Sequence, residues 1–251
     1  MARDLSQFMR EEVAATPFCP GCGHGILMGA VLRSIEGLGL DMDQMLFVSG
    51  IGCAAWIPNP NFKADTLHTL HGRAVAFATG SKLANPKLKV VVISGDGDLA
   101  SIGGNHLIHA ARRAVEITVI CANNMIYGMT GGQVAPTTPK GVPTATTQKG
   151  NPYAPFDLCR LVKAAGADYV ARGSVTRPYE LMEYLSNALS ADTFSFVEVV
   201  SPCHTQYGRR QRMDSPAAMF RQVAEECKER RELDPSQPLA DNTVVLGEFN
   251  E

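Results

Sequence analysis

Residues 90–133 read VVVISGDGDLASIGGNHLIHAARRAVEITVICANNMIYGMTGGQ. A β-branched apolar run, 88–94, halts at Gly95-Asp96-Gly97, and a second, 117–122, halts at Asn123-Asn124 after the 25 intervening residues 98–122. Such short runs, nearly free of charge, read as strands buried on both faces. The segment between them, 103–114, reads as a helix, so the stretch is one βαβ unit. Parallel strands joined by a right-handed crossover point the same way, which brings Asp96 and Asn124 out at the edge of the sheet where open α/β folds bind ligands.

The same reading extends outward. Runs 46–49, 168–171 and 194–200 are further strands, and 26–36, 72–83, 156–165 and 179–189 are further helices. The alternation predicts an α/β fold: a doubly wound, mainly parallel sheet with helices on both faces. Two stretches break it. Residues 131–154, rich in Gly, Pro and Thr, read as a long loop, either an active-site cover or disordered. The polar tail from about Cys203 reads as loop or extension. The expected division is therefore a ligand-binding domain over 1–205 and a C-terminal extension over 206–251, packed on the domain or on a partner.

Composition excludes several classes. With 45% hydrophobic and 19% charged residues and a net charge of −2, the chain of 251 residues has ordinary globular usage. Its charges form no basic stripe for nucleic acid and no cationic amphipathic face for a membrane. The N-terminal stretch lacks the apolar run of a signal peptide, which predicts a cytoplasmic protein. Seven cysteines are an odd number for a disulfide framework, so clustered ones point to metal or iron–sulfur ligation.

A carboxylate and an amide oxygen on one rim are hard donors suited to Mg²⁺, which completes its shell with water and phosphate oxygens. Glycines allow close approach of a diphosphate, and the following helix offers free N–H groups. Gly-Asp-Gly alone would arise by chance in about one chain in ten of this composition, but with Asn-Asn in a narrow window only about once in a thousand. The composite resembles the cofactor motif of thiamine-diphosphate enzymes. That resemblance implies that Asp96, Asn124 and the Ile126 carbonyl bind Mg²⁺, and that Gly95, Gly97, Asp98, Gly128 and Met129 lie against thiamine diphosphate.

The segment FCPGCGHG sets Cys19 and Cys22 two residues apart in a tight turn. Cys53 and Cys203 each follow a strand end, in loops from which a ligand can reach, whereas Cys121, Cys159 and Cys227 fall inside strand or helix patterns. Four thiolates fit either a [4Fe-4S] cluster or a structural zinc. CPGCGHG, GIGC, HGRA, the thiamine motif continuing to TGGQ, and SPC together resemble the β subunits of 2-oxoacid:ferredoxin oxidoreductases over nearly 17–205. This resemblance implies a thiamine-diphosphate-binding fold and one [4Fe-4S] cluster on Cys19, Cys22, Cys53 and Cys203. The activity implied is oxidative decarboxylation of a 2-oxoacid to acyl-CoA and CO₂, with coenzyme A as co-substrate and ferredoxin as electron acceptor.

Family architecture puts the carboxylate that activates the cofactor on a pyrimidine-binding domain. The resemblance therefore implies a hetero-oligomer with an α subunit that carries this domain, and no activity for the β chain alone. His71 in HTLHGRA is the expected catalytic residue, in contact with the cofactor phosphate or a substrate carboxylate as a hydrogen-bond donor, with Arg73 beside it. Ile51 and Gly52 are expected as pocket wall. His24 either donates to a cluster sulfur or starts a helix, and His106 and His109 are ordinary helix residues. At Ala54-Ala55-Trp56 some relatives carry a basic residue, which counts against a substrate-carboxylate contact from that position. The stretch 51–80 looks more like 2-oxoglutarate-using relatives than pyruvate-using ones, implying succinyl-CoA as product. The alternatives are pyruvate or a branched-chain 2-oxoacid as substrate, or a non-redox thiamine decarboxylase with structural zinc.

Overall fold

The structure, a computed structural model, describes residues 4–12, 16–234, 236–240 and 242–249; the outermost residues of both expected domains lie outside that range. In chain order the elements are α1 (His24–Leu38), β1 (Met45–Ser49), β2 (Asp65–His68), α2 (Ala74–Ala84), β3 (Lys89–Gly95), α3 (Gly104–Arg112), β4 (Thr118–Asn123), β5 (Ile126–Tyr127) and β6 (Gln133–Val134). They continue with α4 (Leu158–Ala164), β7 (Tyr169–Ser174), α5 (Pro178–Ser190), β8 (Ser195–Val200), α6 (Pro216–Glu226), β9 (Cys227–Glu229) and β10 (Val244–Glu248).

Among the described residues the main sheet has eight strands in the order β2-β1-β3-β4-β8-β7-β10-β9. The strands from β2 to β7 in this order are parallel, and β10 runs antiparallel to β7. The central strands are buried on both faces, which is why their sequences are continuous rather than alternating apolar runs. α1 and α5 cover one face, over Phe47, Val91, Ile93 and Val197. α2, α3 and α4 cover the other, over Val90, Val92, Val119 and Phe196. The doubly wound architecture expected from the alternation is the one observed.

Two sequence expectations need correction. The tail after Cys203 is not merely loop: Ser215 caps α6, accepting the Ala218 amide at 3.1 Å with Pro216 in the first turn, and β10 extends the sheet beyond β7. Residues 131–154 are largely irregular but start in a two-strand hairpin, Ile126–Tyr127 against Gln133–Val134. β2, DTLH, carries no apolar signature because it is an edge strand with exposed or half-buried side chains.

Phe47 in β1 is fully buried and meets Phe62 edge to face at 5.0 Å. Phe47→Ala is expected to lower unfolding free energy by about 3–5 kcal/mol, measured by denaturant titration. Leu83→Ala, at the exposed end of α2, should stay within about 0.5 kcal/mol; equal effects would contradict the packing described.

Candidate functional site

Register decides where the motif residues meet. Gly95 pairs with Ala122 across β3 and β4, and Asn123 pairs with Val200 across β4 and β8. The loops after β1, β3, β4 and β8 therefore rise from one edge of the sheet. Between them lies a cavity of about 300 Å³ lined by Ile51, Gly52, Cys53, His71, Gly95, Asp96, Gly97, Asp98, Asn124, Ile126, Gly128 and Met129, among others. Every residue expected at the magnesium and diphosphate site reaches this one cavity.

Asp96 is 2% exposed. Its Oδ1 lies 3.5 Å from the Asn124 amide nitrogen, and the Thr137 hydroxyl donates to Oδ2. Burial pushes its carboxyl up to about 6, against the opposing effect of those two donors. A carboxylate this buried, with no cationic partner among the described residues, suits a divalent ion that restores what desolvation removed. Asn124 Oδ1 accepts from the Ile126 amide at 3.2 Å, which curls the turn so that amide and carbonyl oxygens can share one ion. Sequence reasoning missed Thr137, because nothing in a Thr-rich loop marks the one hydroxyl that returns to Asp96.

Asp98, expected against the diphosphate, lines the cavity and also holds its walls together. Its carboxylate accepts from Ser94 Oγ (2.6 Å), Gly72 N (2.7 Å), Ile51 N (3.1 Å) and His71 Nδ1 (2.5 Å). Its carboxylate ties the loops after β1 and before α2 to the end of β3 and so braces one wall of the cavity. Gly50 is required here: a Cβ on it would lie 1.9 Å from Asp98 Oδ2. His71 is thus held by its Nδ1 and lines the cavity with the rest of its ring, edge-on to Tyr127 at 6.0 Å between centroids. Tyr127 in turn donates to the Gly97 carbonyl at 2.9 Å. Arg73 turns away, donating to the Gly72 and Ile102 carbonyls.

A second cavity, of about 440 Å³, is lined by Cys19, Cys22, Cys53 and Cys203 together with His24, Trp56, Gly128 and Met129, among others. Cys19 and Cys22 precede α1, and the Gly23 amide approaches the Pro202 carbonyl, so the Cys-x-x-Cys turn sits against the Cys203 loop. Burial pushes the Cys22 thiol up to about 11 and raises Cys53, and in each the nearby sulfurs add to the rise. Such thiols ionise only when a metal centre compensates them. Among the described residues no three His, Cys, Asp or Glu side chains converge closely enough for a single metal ion. All four sulfurs nevertheless line the one cavity, which fits a shared centre, a [4Fe-4S] cluster or a zinc. Cys121, Cys159 and Cys227 are buried elsewhere.

The two cavities share His24, Cys53, Asn124, Gly128 and Met129. The Cys203 sulfur lies 3.4 Å from where a Cβ on Gly128 would stand, so a side chain there would thicken the partition. His24 is both helix start and wall: it opens α1, its Nδ1 meets Ser201 Oγ at 3.1 Å, and burial lowers it to about 4, leaving it neutral.

Residues 50–199 match the family model described as thiamine pyrophosphate enzyme, C-terminal TPP binding domain. Over 246 residues the chain is 48% identical to 2-oxoglutarate synthase subunit KorB of Methanothermobacter marburgensis, covering 97% of this chain and 85% of that protein. It is 42% identical over 195 residues to 2-oxoacid:ferredoxin oxidoreductase subunit beta of Saccharolobus solfataricus, covering 77% and 64%. The chain belongs to the 2-oxoacid:ferredoxin oxidoreductase β-subunit family. Cys19, Cys22 and Cys203 lie outside the matched thiamine domain, so the full-length relatives are what bring the cysteine cavity within the family likeness. Among solved structures, 2-oxoglutarate:ferredoxin oxidoreductase from Magnetococcus marinus, with 2-oxoglutarate, coenzyme A and succinyl-CoA bound, superposes with a TM-score of 0.85 at 30% identity. That match covers 98% of this chain and 84% of the other.

Since Asp96 must be ionised to hold a cation, a proton competes with the metal below the raised value. Mg²⁺ affinity should be flat above about pH 6 and fall about tenfold for each pH unit below it, as measured by calorimetric titration with saturating thiamine diphosphate. An affinity unchanged down to about pH 4.5 would contradict the placement of the ion on Asp96.

Proposed function

We propose that this chain is the β subunit of a 2-oxoglutarate:ferredoxin oxidoreductase, converting 2-oxoglutarate and coenzyme A to succinyl-CoA and CO₂. The observation that carries the reading is the shared wall: an oxygen-donor cavity fit for a magnesium diphosphate and a four-cysteine cavity fit for a [4Fe-4S] cluster stand back to back. When bound, thiamine diphosphate supplies an electron sink for decarboxylation, and the cluster accepts electrons one at a time for ferredoxin.

The chain's own residues bind and orient. Asp96, Asn124 and the Ile126 carbonyl hold the cation, and Gly95, Gly97, Gly128 and Met129 pack on the diphosphate. Cys19, Cys22, Cys53 and Cys203 hold the cluster. His71, braced by Asp98, presents its free ring edge to phosphate or substrate, and Ile51 and Gly52 close the pocket. On this reading the cofactor domain spans 1–205 and the segment 206–251 is an extension that starts beside the cysteine cavity and ends in β9 and β10 at the far edge of the sheet. An α subunit supplies the pyrimidine-binding domain and the acid that activates the cofactor. Unpaired, metal-ready thiols suit the reducing cytoplasm, and no helix among the described residues is long and apolar enough to cross a membrane.

Serine replacements at Cys19, Cys22, Cys53 or Cys203 should each lower bound iron and sulfide after anaerobic purification, whereas Cys121→Ser and Cys159→Ser should leave the iron in place. Retained iron in all four ligand variants, or zinc in the unmodified chain, would remove the cluster. The complex with its α subunit should turn over 2-oxoglutarate at a kcat/KM about tenfold or more above pyruvate and branched-chain 2-oxoacids with a dye acceptor, and this chain alone should show no turnover. A preference for pyruvate would reassign the substrate, and full activity of the isolated chain would refute the need for a partner.

A further inference from the structure

Behind the magnesium site, on the side away from both cavities, lies a chain of buried charges that the proposed chemistry does not use. Glu198 in the middle of β8 is 3% exposed and sits beside Arg172 of β7, its parallel-register neighbour. Its Oε1 accepts from Asn123 Nδ2 at 2.6 Å. Its Oε2 accepts from Arg172 Nε at 2.8 Å and from the Cys159 thiol at 3.2 Å. Arg172 Nη2 donates to Asp157 Oδ1 at 2.6 Å, and Asp157 caps α4.

Burying such a chain is not a route to stability. Well-packed apolar residues in the same space are often as stable or more so, whereas loss of one partner strands a buried charge. What the arrangement fixes is orientation. An Asn amide has one donating and one accepting end, and Asn123 uses both: Nδ2 gives to Glu198, and Oδ1 accepts from the Met125 amide at 3.0 Å. This closes a tight turn around Asn124. Met125 there has φ +61°, a left-handed conformation that is strained for a side-chain-bearing residue. The far side of the turn is held as well, since the Thr138 hydroxyl donates to the Met125 carbonyl at 2.6 Å. A flipped Asn123 amide would set its NH₂ against the Met125 amide and its oxygen against the Glu198 carboxylate. Only one orientation satisfies every group, and in it Asn124 lines the oxygen-donor cavity.

We infer that Glu198 is a positioning residue for the magnesium site, fixing the Asn123 amide and through it the strained turn that presents Asn124. The inference rests on the thiamine and magnesium reading of the site given above.

The test is a donor–acceptor swap in the complex with the α subunit, read as the Mg²⁺ concentration for half-maximal thiamine-diphosphate binding, with bound iron as a check on folding. Asn123→Asp sets a carboxylate against Glu198, and Glu198→Gln turns an NH₂ towards either Arg172 or Asn123. Each should raise the Mg²⁺ requirement by about 10-fold to 100-fold. The double variant N123D/E198Q restores complementarity, because the new Gln amide donates to the new carboxylate while its carbonyl accepts from Arg172. It should return to within about threefold of the unmodified complex. Single variants with an unaltered Mg²⁺ requirement would overturn the inference, and so would a swap no better than the singles, including one in which all three lose iron. An unmodified complex that binds no thiamine diphosphate with Mg²⁺ would instead bring down the proposed function itself.

Discussion

The parallel register of β1, β3, β4 and β8 is the constraint from which the site follows. Neighbouring strands lie about 4.8 Å apart, so ligands one or two residues beyond β3 and β4 meet with no long loop to position them. Asp96 and Asn124 are such residues. Cys53 and Cys203 leave the outer strands of the four, three spacings or about 14 Å apart. They share one cavity only because their loops lean inward over the oxygen site, where the Cys19 and Cys22 turn before α1 meets them. Strand order thus sets the cysteine-lined cavity beside the oxygen-lined one.

Two buried aspartates two residues apart have opposite environments, and the contrast separates brace from ligand. Asp98 has a donor for each direction its oxygens face, from Ser94, Ile51, His71 and Gly72. Asp96 has Thr137 and a long contact to the Asn124 amide, and burial leaves it raised to about 6. Donors that fully satisfy a carboxylate leave it no need of a cation, and desolvation without a cation leaves it poised for one. The glycine turn therefore holds one carboxylate that the protein satisfies and one that it leaves under-satisfied.

Much of this was legible in the sequence, because the chemistry sits at strand ends and strand ends are marked by Gly, Asp and Asn. The central strands announced themselves as mainly apolar runs, and Cys19, Cys22, Cys53 and Cys203 stood in loops while the buried three stood inside elements. β2 was illegible, since an edge strand with solvated side chains has no apolar period. α6 carried a readable start, Ser215-Pro216, but its polar face resembles that of the surrounding tail. The bracing by Asp98 could not be read: four donors, from strand β3 and two loops, converge on it, and no local pattern encodes a long-range convergence. Thr137 and Glu198 were hidden for the same reason, one in a Thr-rich loop and the other as a single charge in an apolar strand.

The partition between the two cavities also bears on redox behaviour. His24, Cys53, Asn124, Gly128 and Met129 form it, and none carries a positive charge, since burial holds His24 neutral. The potential of an iron–sulfur cluster falls when added electrons find neither cationic side chains nor water to stabilise them. A [4Fe-4S] cluster held by Cys19, Cys22, Cys53 and Cys203 would therefore meet no cation on the side facing the thiamine site, which would favour the reducing potential that transfer to ferredoxin needs. A basic residue at that wall would hold the electron more tightly at the cluster and slow its departure, so the absence of charge there follows from the direction in which the electron has to move.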